Sequence, residues 1–316
     1  MTTITPTTRA AIPPVVQRKQ RSLWGDAWRR LISSFTGRLG MAITLILILV
    51  ALFVPLLRPY NPDRDRNLRL RLTAPSWSLS EAERTRLKLD MFSTPFGTDE
   101  LGRDLFVRVL HGSRISLTVG LFSVALAVFF GSLLGLVAGF SGGWVDTIAV
   151  WIMDILLAFP AILLAIAIVS IRGPGLTNTM LAVAIVEIPI FARIARSAVL
   201  GIREQEYITA ARTIGTPPRR VLFGHVLPNC LTPMIVQGTL SIATAIISIA
   251  ALGFLGLGAQ PPAPEWGTML AGARGFVAQG KWWYPTFPGL AIMLTVLGFN
   301  LLGDGMRDAL DPRLRK

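Results

Sequence analysis

Six long apolar runs constrain this chain more than any other feature of its sequence. Each has about 18 residues or more with few charges, which is the length an α-helix needs to cross a hydrocarbon layer about 30 Å thick. Hydrophobic residues make up 52% of the chain and charged residues 16%, a composition typical of membrane proteins. We therefore predict an all-α, polytopic membrane protein with six transmembrane helices. The predicted spans are 40–57, 115–140, 147–171, 175–195, 231–258 and 285–303.

Two acids lie inside these runs. Asp154 is in the third run, and Glu187 is in the fourth, which also contains Arg193. An acid within a bilayer is unfavourable unless it faces a cavity or a partner. We predict that Asp154 and Glu187 lie on a transport pathway, where each contacts a substrate amine or forms a gate ion pair. The alternative for each is a structural hydrogen bond to a neighbouring helix or to Arg193.

The distribution of basic residues predicts the orientation of the chain. Seven Arg or Lys precede the first run against one acid, Asp26, and such an excess favours the cytoplasmic side. An even number of spans then places both termini in the cytoplasm. The net charge of +13 is spread over the loops, which argues against nucleic acid as a partner and favours contact with the lipid bilayer. The seven are Arg9, Arg18, Lys19, Arg21, Arg29, Arg30 and Arg38.

The alternation of polar and apolar segments divides the chain into four parts. In the first part, Trp24, Trp28, Leu31 and Ile32 recur at helical spacing and predict an amphipathic helix on the inner leaflet. The four parts are a cytoplasmic N-terminal segment (1–38), the first transmembrane helix with a long external segment (39–112), a five-helix core (113–303) and a cytoplasmic tail (304–316).

A polar segment, residues 203–229, separates the fourth and fifth runs. Its residues 206–214 favour a helix, and Gly215 can adopt the left-handed conformation that ends one. Thr216 can cap a second helix, with Pro217 in its first turn. We predict a folded helix-turn-helix element on the membrane surface that faces a partner.

This segment resembles the EAA loop of the membrane subunits of ATP-binding-cassette importers. The match consists of Glu, three residues, Ala-Ala, three residues and Gly, followed about eleven residues later by Leu-Pro. It is most similar to the peptide, glutathione and nickel branch, and within it to the second permease subunit of dipeptide and glutathione importers. The strings FGTDELGRD (96–104), GGWVD (142–146) and ALGFLGLGAQPPAPEWG (251–267) extend the resemblance over about residues 40–316. Trp151 stands where such proteins often have Arg, so a charge pair there needs another partner.

The resemblance implies a type I importer permease fold in a bacterial inner membrane. It implies a second homologous permease subunit, two ATP-binding subunits and an extracytoplasmic substrate-binding protein as partners, with di- or oligopeptides or glutathione as cargo. A nickel or other solute permease of the same fold is the alternative, and a self-sufficient secondary transporter is a further one. The residues expected to couple to the ATPase are Glu206, Tyr207, Ala210, Ala211, Arg212, Gly215, Leu227 and Pro228.

Three glycines in the second run, Gly131, Gly135 and Gly139, form a doubled G-x-x-x-G pattern. Small residues four apart make a flat strip on which another helix packs closely. We predict a helix-packing role, either static or as a moving interface. Further along, Trp282, Trp283 and Tyr284 are typical of an interfacial aromatic belt, with a lining role at the outer mouth as the alternative.

The chain lacks the residue patterns of an ATPase or a metalloenzyme. None of its four lysines follows the glycine spacing of a phosphate-binding loop, and its two histidines are more than a hundred residues apart. A single cysteine, Cys230, excludes an intramolecular disulfide. We therefore expect no catalytic residues, no cofactor and no metal site in this chain, so that ATP hydrolysis resides in partner subunits.

Overall fold

The computed structural model describes residues 23–62 and 64–310, and the regular secondary structure of these residues is helical, with no strand. The expected basic residues of positions 9–21, the side chain of Trp24 and the tail beyond residue 310 lie outside the described residues. The described α-helices are α1 Leu23–Ser33, α2 Phe35–Leu57, α3 Glu81–Leu87, α4 Leu105–Ser141, α5 Gly143–Leu157, α6 Ala161–Arg172, α7 Leu176–Arg203, α8 Glu206–Thr213, α9 Pro218–Val221, α10 Leu227–Phe254, α11 Trp266–Ala273 and α12 Trp283–Leu310.

Four of the described helices are long and apolar enough to cross a membrane, namely α2, α4, α10 and α12. The third predicted run is different, because it forms two short helices, α5 and α6, that meet at 90°. Pro160 explains the break, since its ring removes a backbone donor and keeps Phe159 out of the helical region. The expectation of one helix over 147–171 is therefore wrong. Counting the bent pair as one span gives five.

The helix α7 is 28 residues long but is not among the four apolar helices. It contains Glu187, Arg193, Arg196 and Arg203, and its apolar side chains are buried against α4, α6 and α10. Its polar residues contact different neighbours, since Glu187 bonds to α10 and Arg193 and Arg196 pair with α5. The sequence run at 175–195 therefore underestimates the helix, which continues to Arg203.

The glycine strip lies at the contact between α4 and α7, where packing is closest. A Cβ placed on Gly135 would lie 2.1 Å from the carbonyl oxygen of Ala192 and 2.6 Å from the Cβ of Ala195. A Cβ on Gly131 would lie 2.6 Å from the carbonyl oxygen of Ile188. These separations are too short for any side chain, so the glycines let two backbones approach.

A second close contact joins α2 to α12. A Cβ on Gly40 would lie 2.3 Å from the backbone nitrogen of Leu302. The helix α1 lies across the same ends of α2 and α12, with Leu31 buried against Ala309. Trp28 and Ile32 remain exposed. The N-terminal helix therefore has an inner face on its own chain and an outer apolar face.

The segment between α2 and α4, which the sequence predicts to be external, folds back over the ends of α11 and α12. Trp283 and Tyr284 are buried there with Leu105 and Trp266. The indole of Trp283 donates to the carbonyl oxygen of Thr98 at 3.3 Å. The expected aromatic belt is therefore wrong for Trp283 and Tyr284, because the external segment covers both rings and satisfies their polar atoms.

The glycine strip generates a stability prediction. Gly135→Leu places a side chain against the α7 backbone, and overpacking of this kind costs about 1–3 kcal/mol. We expect a lower thermal unfolding midpoint for the purified chain in detergent. Gly289→Leu is the matched control, because a Cβ on that α12 glycine meets nothing within 4 Å. Equal stability of the two variants would show that α4 and α7 can move apart without loss of stability.

Candidate functional site

The segment 203–229 contains two short helices and a turn. The first, α8, ends at Thr213, and Gly215 has a φ of +81°. The amide of Gly215 donates to the carbonyl of Arg212 at 3.0 Å, and the amide of Thr216 donates to the carbonyl of Ala211 at 3.1 Å. This pair of bonds is the Schellman arrangement, with glycine at its left-handed position.

The second helix begins one residue later than the sequence predicts. Its N-cap is Pro217, with extended backbone angles, and Pro218 occupies the first helical position. Pro218 prevents the preceding residue from adopting helical angles, so Thr216 is not the cap. A π-helical turn over Leu222–Val226 then connects α9 to α10.

One face of this segment is anchored in its own chain. Ile208 is fully buried with Val221, Val226 and Cys230, and Leu227 packs beside them. Ala211 is also buried. The segment is thus a fixed platform rather than a loose loop.

The opposite face is exposed. Tyr207 is 47% exposed and Ile214 is 83% exposed. The remaining exposed members of the predicted set are Glu206, Ala210, Arg212, Gly215 and Pro228. The structure therefore divides the two alanines, because Ala210 faces outward and Ala211 faces its own chain.

Asp154 pairs with Arg193 across α5 and α7. The carboxylate lies 2.9 Å from the guanidinium, and both side chains are more than half exposed. Arg193 is thus the basic partner of Asp154, in place of the Arg that related proteins often have at position 151. The pair sits beside the exposed apolar side chains of Trp151 and Ile155.

A second ion pair on the same two helices was missed by the sequence reasoning. Asp146 forms a bidentate pair with Arg196, whose terminal nitrogen lies 2.7 Å from the carboxylate. A signal was present, because Asp146 and Asp154 are eight residues apart and so lie on nearly the same face of a helix. Together the two pairs join α5 to α7.

Glu187 lies in a different environment from Asp154. Its carboxylate is buried between α7 and α10 and accepts hydrogen bonds from the hydroxyls of Ser241 at 3.1 Å and Thr244 at 3.5 Å. The structure does not bring Glu187 and Asp154 together. The hydrogen-bond alternative therefore describes Glu187, with α10 as the neighbouring helix.

A cluster of buried charges lies where the segment between α2 and α4 meets the start of α4, and the sequence reasoning also missed it. Asp99 is fully buried and accepts hydrogen bonds from the backbone amides of Leu101 and Arg103. Its carboxylate also lies 2.6 Å from Nε of Arg103 and 3.4 Å from Nε of Arg108. The only sequence signal was the string FGTDELGRD, whose chemistry is not readable without the turn that brings Asp99 and Arg103 together.

Comparisons with known proteins agree with this arrangement. A family model described as binding-protein-dependent transport system inner membrane component matches residues 131–316, which include the segment 203–229. The chain belongs to this family. A second model, the N-terminal TM domain of oligopeptide transport permease C, matches residues 22–75. The EAA loop is a feature of this permease family, so the predicted family is confirmed.

Several relatives align with this permease over nearly their whole length. The dipeptide transport system permease protein DppC of Alkalihalophilus pseudofirmus is 48% identical over 96% of this chain and 94% of its own. The di/tripeptide transport system permease protein DppC of Pseudomonas aeruginosa is 50% identical over 87% of this chain and 88% of its own. The glutathione transport system permease protein GsiD of Pectobacterium atrosepticum is 43% identical over 97% and 96%.

Substitutions of Glu187 and Asp154 are expected to differ in their effect on the stability of the chain. Glu187→Leu leaves the Ser241 hydroxyl buried without its acceptor, which costs about 1–3 kcal/mol, whereas Glu187→Gln keeps one accepting oxygen and costs less than about 1 kcal/mol. Asp154→Asn should not change the stability of the isolated chain, because exposed ion pairs contribute little. Thermal unfolding in detergent measures all three. An equal loss in the Leu and Gln variants of Glu187 contradicts the hydrogen-bond role.

Proposed function

We propose that this chain is the membrane-spanning permease subunit of an ATP-driven importer of di- or oligopeptides or glutathione. The observation that carries the proposal is 42–50% identity, over most of the chain, to permease subunits whose names specify dipeptide or glutathione transport. The chain contributes no catalytic group and no cofactor. It works with a second homologous permease subunit, two ATP-binding subunits and an extracytoplasmic substrate-binding protein.

In this proposal the exposed face of α8 docks into an ATP-binding subunit. Tyr207 and Ile214 supply apolar area, Ala210 allows close approach, and Glu206 and Arg212 make polar contacts at the rim. Burial of Ile208 and Ala211 in the same chain supports this role, because a rigid platform transmits displacement to the membrane helices that flank it. Leu227 and Pro228 begin α10 and connect the platform to that helix.

The pathway is proposed to run along the exposed faces of α5 and α7. The Asp154–Arg193 pair is exposed on the isolated chain, and charges at such a depth are unfavourable in lipid. The second permease subunit or an aqueous cavity therefore covers this face. Glu187 is kept as a residue that ties α7 to α10 beside the pathway.

The proposed topology has six spans, obtained by counting the bent pair α5–α6 as one and α7 as another. Both termini are then cytoplasmic, and the protein is a multi-pass component of the bacterial inner membrane. The proposed parts remain 1–38, 39–112, 113–303 with the EAA loop at 203–229, and 304–316.

The topology is tested by single-cysteine labelling in a Cys230→Ser background. Cysteines at Arg212 and at either terminus should react only after the inner face is opened to the reagent. Cysteines at Thr85 and Lys281 should react in intact cells. Labelling of the Arg212 position from outside would overturn the orientation and with it the docking proposal.

Docking is tested with alanine-to-tryptophan changes. Ala210→Trp adds bulk to the exposed face of α8, and we expect at least a tenfold loss of co-purified ATP-binding subunit with normal membrane insertion. Ala278→Trp is the control, because that alanine is exposed beyond α11 and outside the EAA loop. Ala211→Trp should instead destabilise the chain itself, since that side chain is buried. Equal association of the Ala210 and Ala278 variants contradicts docking through α8.

The turn is tested at Gly215. A Cβ there would meet no atom within 4 Å, so only the positive φ opposes a side chain. Gly215→Val should cost about 1 kcal/mol or more and uncouple ATP hydrolysis from uptake, whereas Gly215→Asn should be tolerated because Asn populates left-handed angles. Uptake of labelled dipeptide, glutathione and Ni²⁺ in a deletion strain that carries each variant measures both coupling and cargo. Uptake of Ni²⁺ alone would replace the peptide proposal with the nickel alternative.

A further inference from the structure

A polar chamber of about 550 Å³ lies on the external side of the protein, away from the EAA loop. Its walls come from the external segment, from the end of α10, and from α11 and α12. The volume falls within the range of small-ligand sites. The charged groups on its wall include Arg103, Arg108 and Glu100, and Gln260 and Thr268 add uncharged polar groups.

The two arginines are held in place from behind by one carboxylate. Asp99 is fully buried and contacts Nε of both Arg103 and Arg108, while its other oxygen is occupied by backbone amides. The turn that creates this geometry requires Gly102, which has a φ of +71° and would place a Cβ 1.8 Å from the carbonyl oxygen of Asn67. Both guanidinium groups are therefore fixed before any ligand arrives.

The arginines have more donors than the described residues accept. Each guanidinium carries five N–H groups. Beyond their contacts with Asp99, Arg103 has only a 3.5 Å contact to Glu100, and Arg108 donates one bond to the Tyr60 hydroxyl at 2.6 Å. The Nε of Arg108 is buried without a hydrogen-bond partner. Arg103 and Arg108 both line the chamber, where a planar acceptor with two oxygens can engage donors that the protein leaves unpaired.

The acid on the chamber wall does not neutralise this donor surplus. Glu100 accepts a hydrogen bond from the Tyr284 hydroxyl, so one of its oxygens is occupied. Burial raises the pKa of Glu100, and the neighbouring Asp99 carboxylate raises it further. Glu100 engages Arg103 through one oxygen and the Tyr284 hydroxyl through the other, so the donors left for an anion are the remaining N–H groups of Arg103 and Arg108.

The chamber is also connected to the proposed coupling element. Gly253 and Gly256 at the end of α10 form part of its wall. The same helix begins at Leu227 and runs without interruption for 28 residues, about 42 Å. A displacement at the EAA loop can therefore reach the chamber wall through a single helix.

We propose that this chamber is an entry subsite that binds the C-terminal carboxylate of a short peptide through Arg103 and Arg108. The volume exceeds that of a lone carboxylate and leaves room for one or two residues. Gln260, Thr268 and Met269 line that remaining space. The inference rests on the proposed function, since it names where the cargo of that importer first contacts this subunit.

The test uses the assembled transporter in nanodiscs without its binding protein. The probe is alanyl-p-benzoylphenylalanine as the free acid, compared with its C-terminal amide. Photolabelling of residues 253–284 is read by mass spectrometry. We expect at least fivefold more labelling with the acid than with the amide, with competition by unlabelled dialanine.

Charge changes at Gln260 make the test independent of folding, because this side chain is exposed. Gln260→Glu should lower labelling by the acid about threefold to tenfold, and Gln260→Lys should raise it, since a charge near the rim acts through a partly screened field. Gln279 is the matched control, because it too is an exposed Gln whose side-chain amide donates to the carbonyl four residues earlier. The same changes at Gln279 should leave labelling unchanged.

Three outcomes overturn the inference. The first is equal labelling by the free-acid and amide forms of the probe. The second is labelling that does not change with the charge at residue 260. The third is the absence of labelling by the acid probe, together with protection of the chamber when peptide-free binding protein is added in a separate sample. That result would assign the arginines to docking of the binding protein. Each leaves the permease proposal intact, because co-purification of the ATP-binding subunits tests that proposal separately.

Discussion

The contact of α4 with α7 is the close helix–helix contact on which the positions of α5, α8 and α10 depend. In a hydrocarbon environment, burial of apolar side chains gives helices little reason to associate, so close van der Waals contact must supply the attraction. Gly131, Gly135 and Gly139 remove the side chains that would keep two backbones apart. Arg203 adds a polar tie, because its guanidinium donates to the carbonyl oxygen of Gly139 at 3.2 Å. The C-terminal ends of α4 and α7 are thereby held together.

The position of α7 determines the positions of the helices that bind to it. The two ion pairs to Asp146 and Asp154 attach α5 to α7, and the hydrogen bonds of Glu187 attach α10. The platform α8 begins three residues after α7 ends, and it is buried through Ile208 against the start of α10. The EAA loop is thus enclosed between α7 and α10, which also contact each other. Only Glu204 and Gln205 separate α7 from α8, and Ile208 packs against the start of α10, so α8 is held closely to both helices.

Several properties could be read from the residues alone because they depend on local chemistry. Apolar runs that are long enough to cross the bilayer as α-helices predicted the long helices. Gly215 predicted the left-handed turn. The shift of the second cap from Thr216 to Pro217 was readable too, had the effect of Pro218 on its predecessor been applied. The same rule at Pro160 marks the break between α5 and α6, but only the fold gives the angle of 90°.

What the sequence determined by itself was helix content, family and the position of the EAA loop, since these follow from hydropathy, turn residues and motif spacing. The tertiary structure decided which side of each helix is covered. It placed Ala211 inward and Ala210 outward, separated Glu187 from Asp154, and buried Trp283 and Tyr284 under the external segment. It also brought Arg108 to Asp99 across nine residues and a tight turn. Helical periodicity gives the angles between side chains around the axis of one helix. It does not give the rotation of that helix about its axis within the bundle, because packing between segments far apart in the chain sets that rotation.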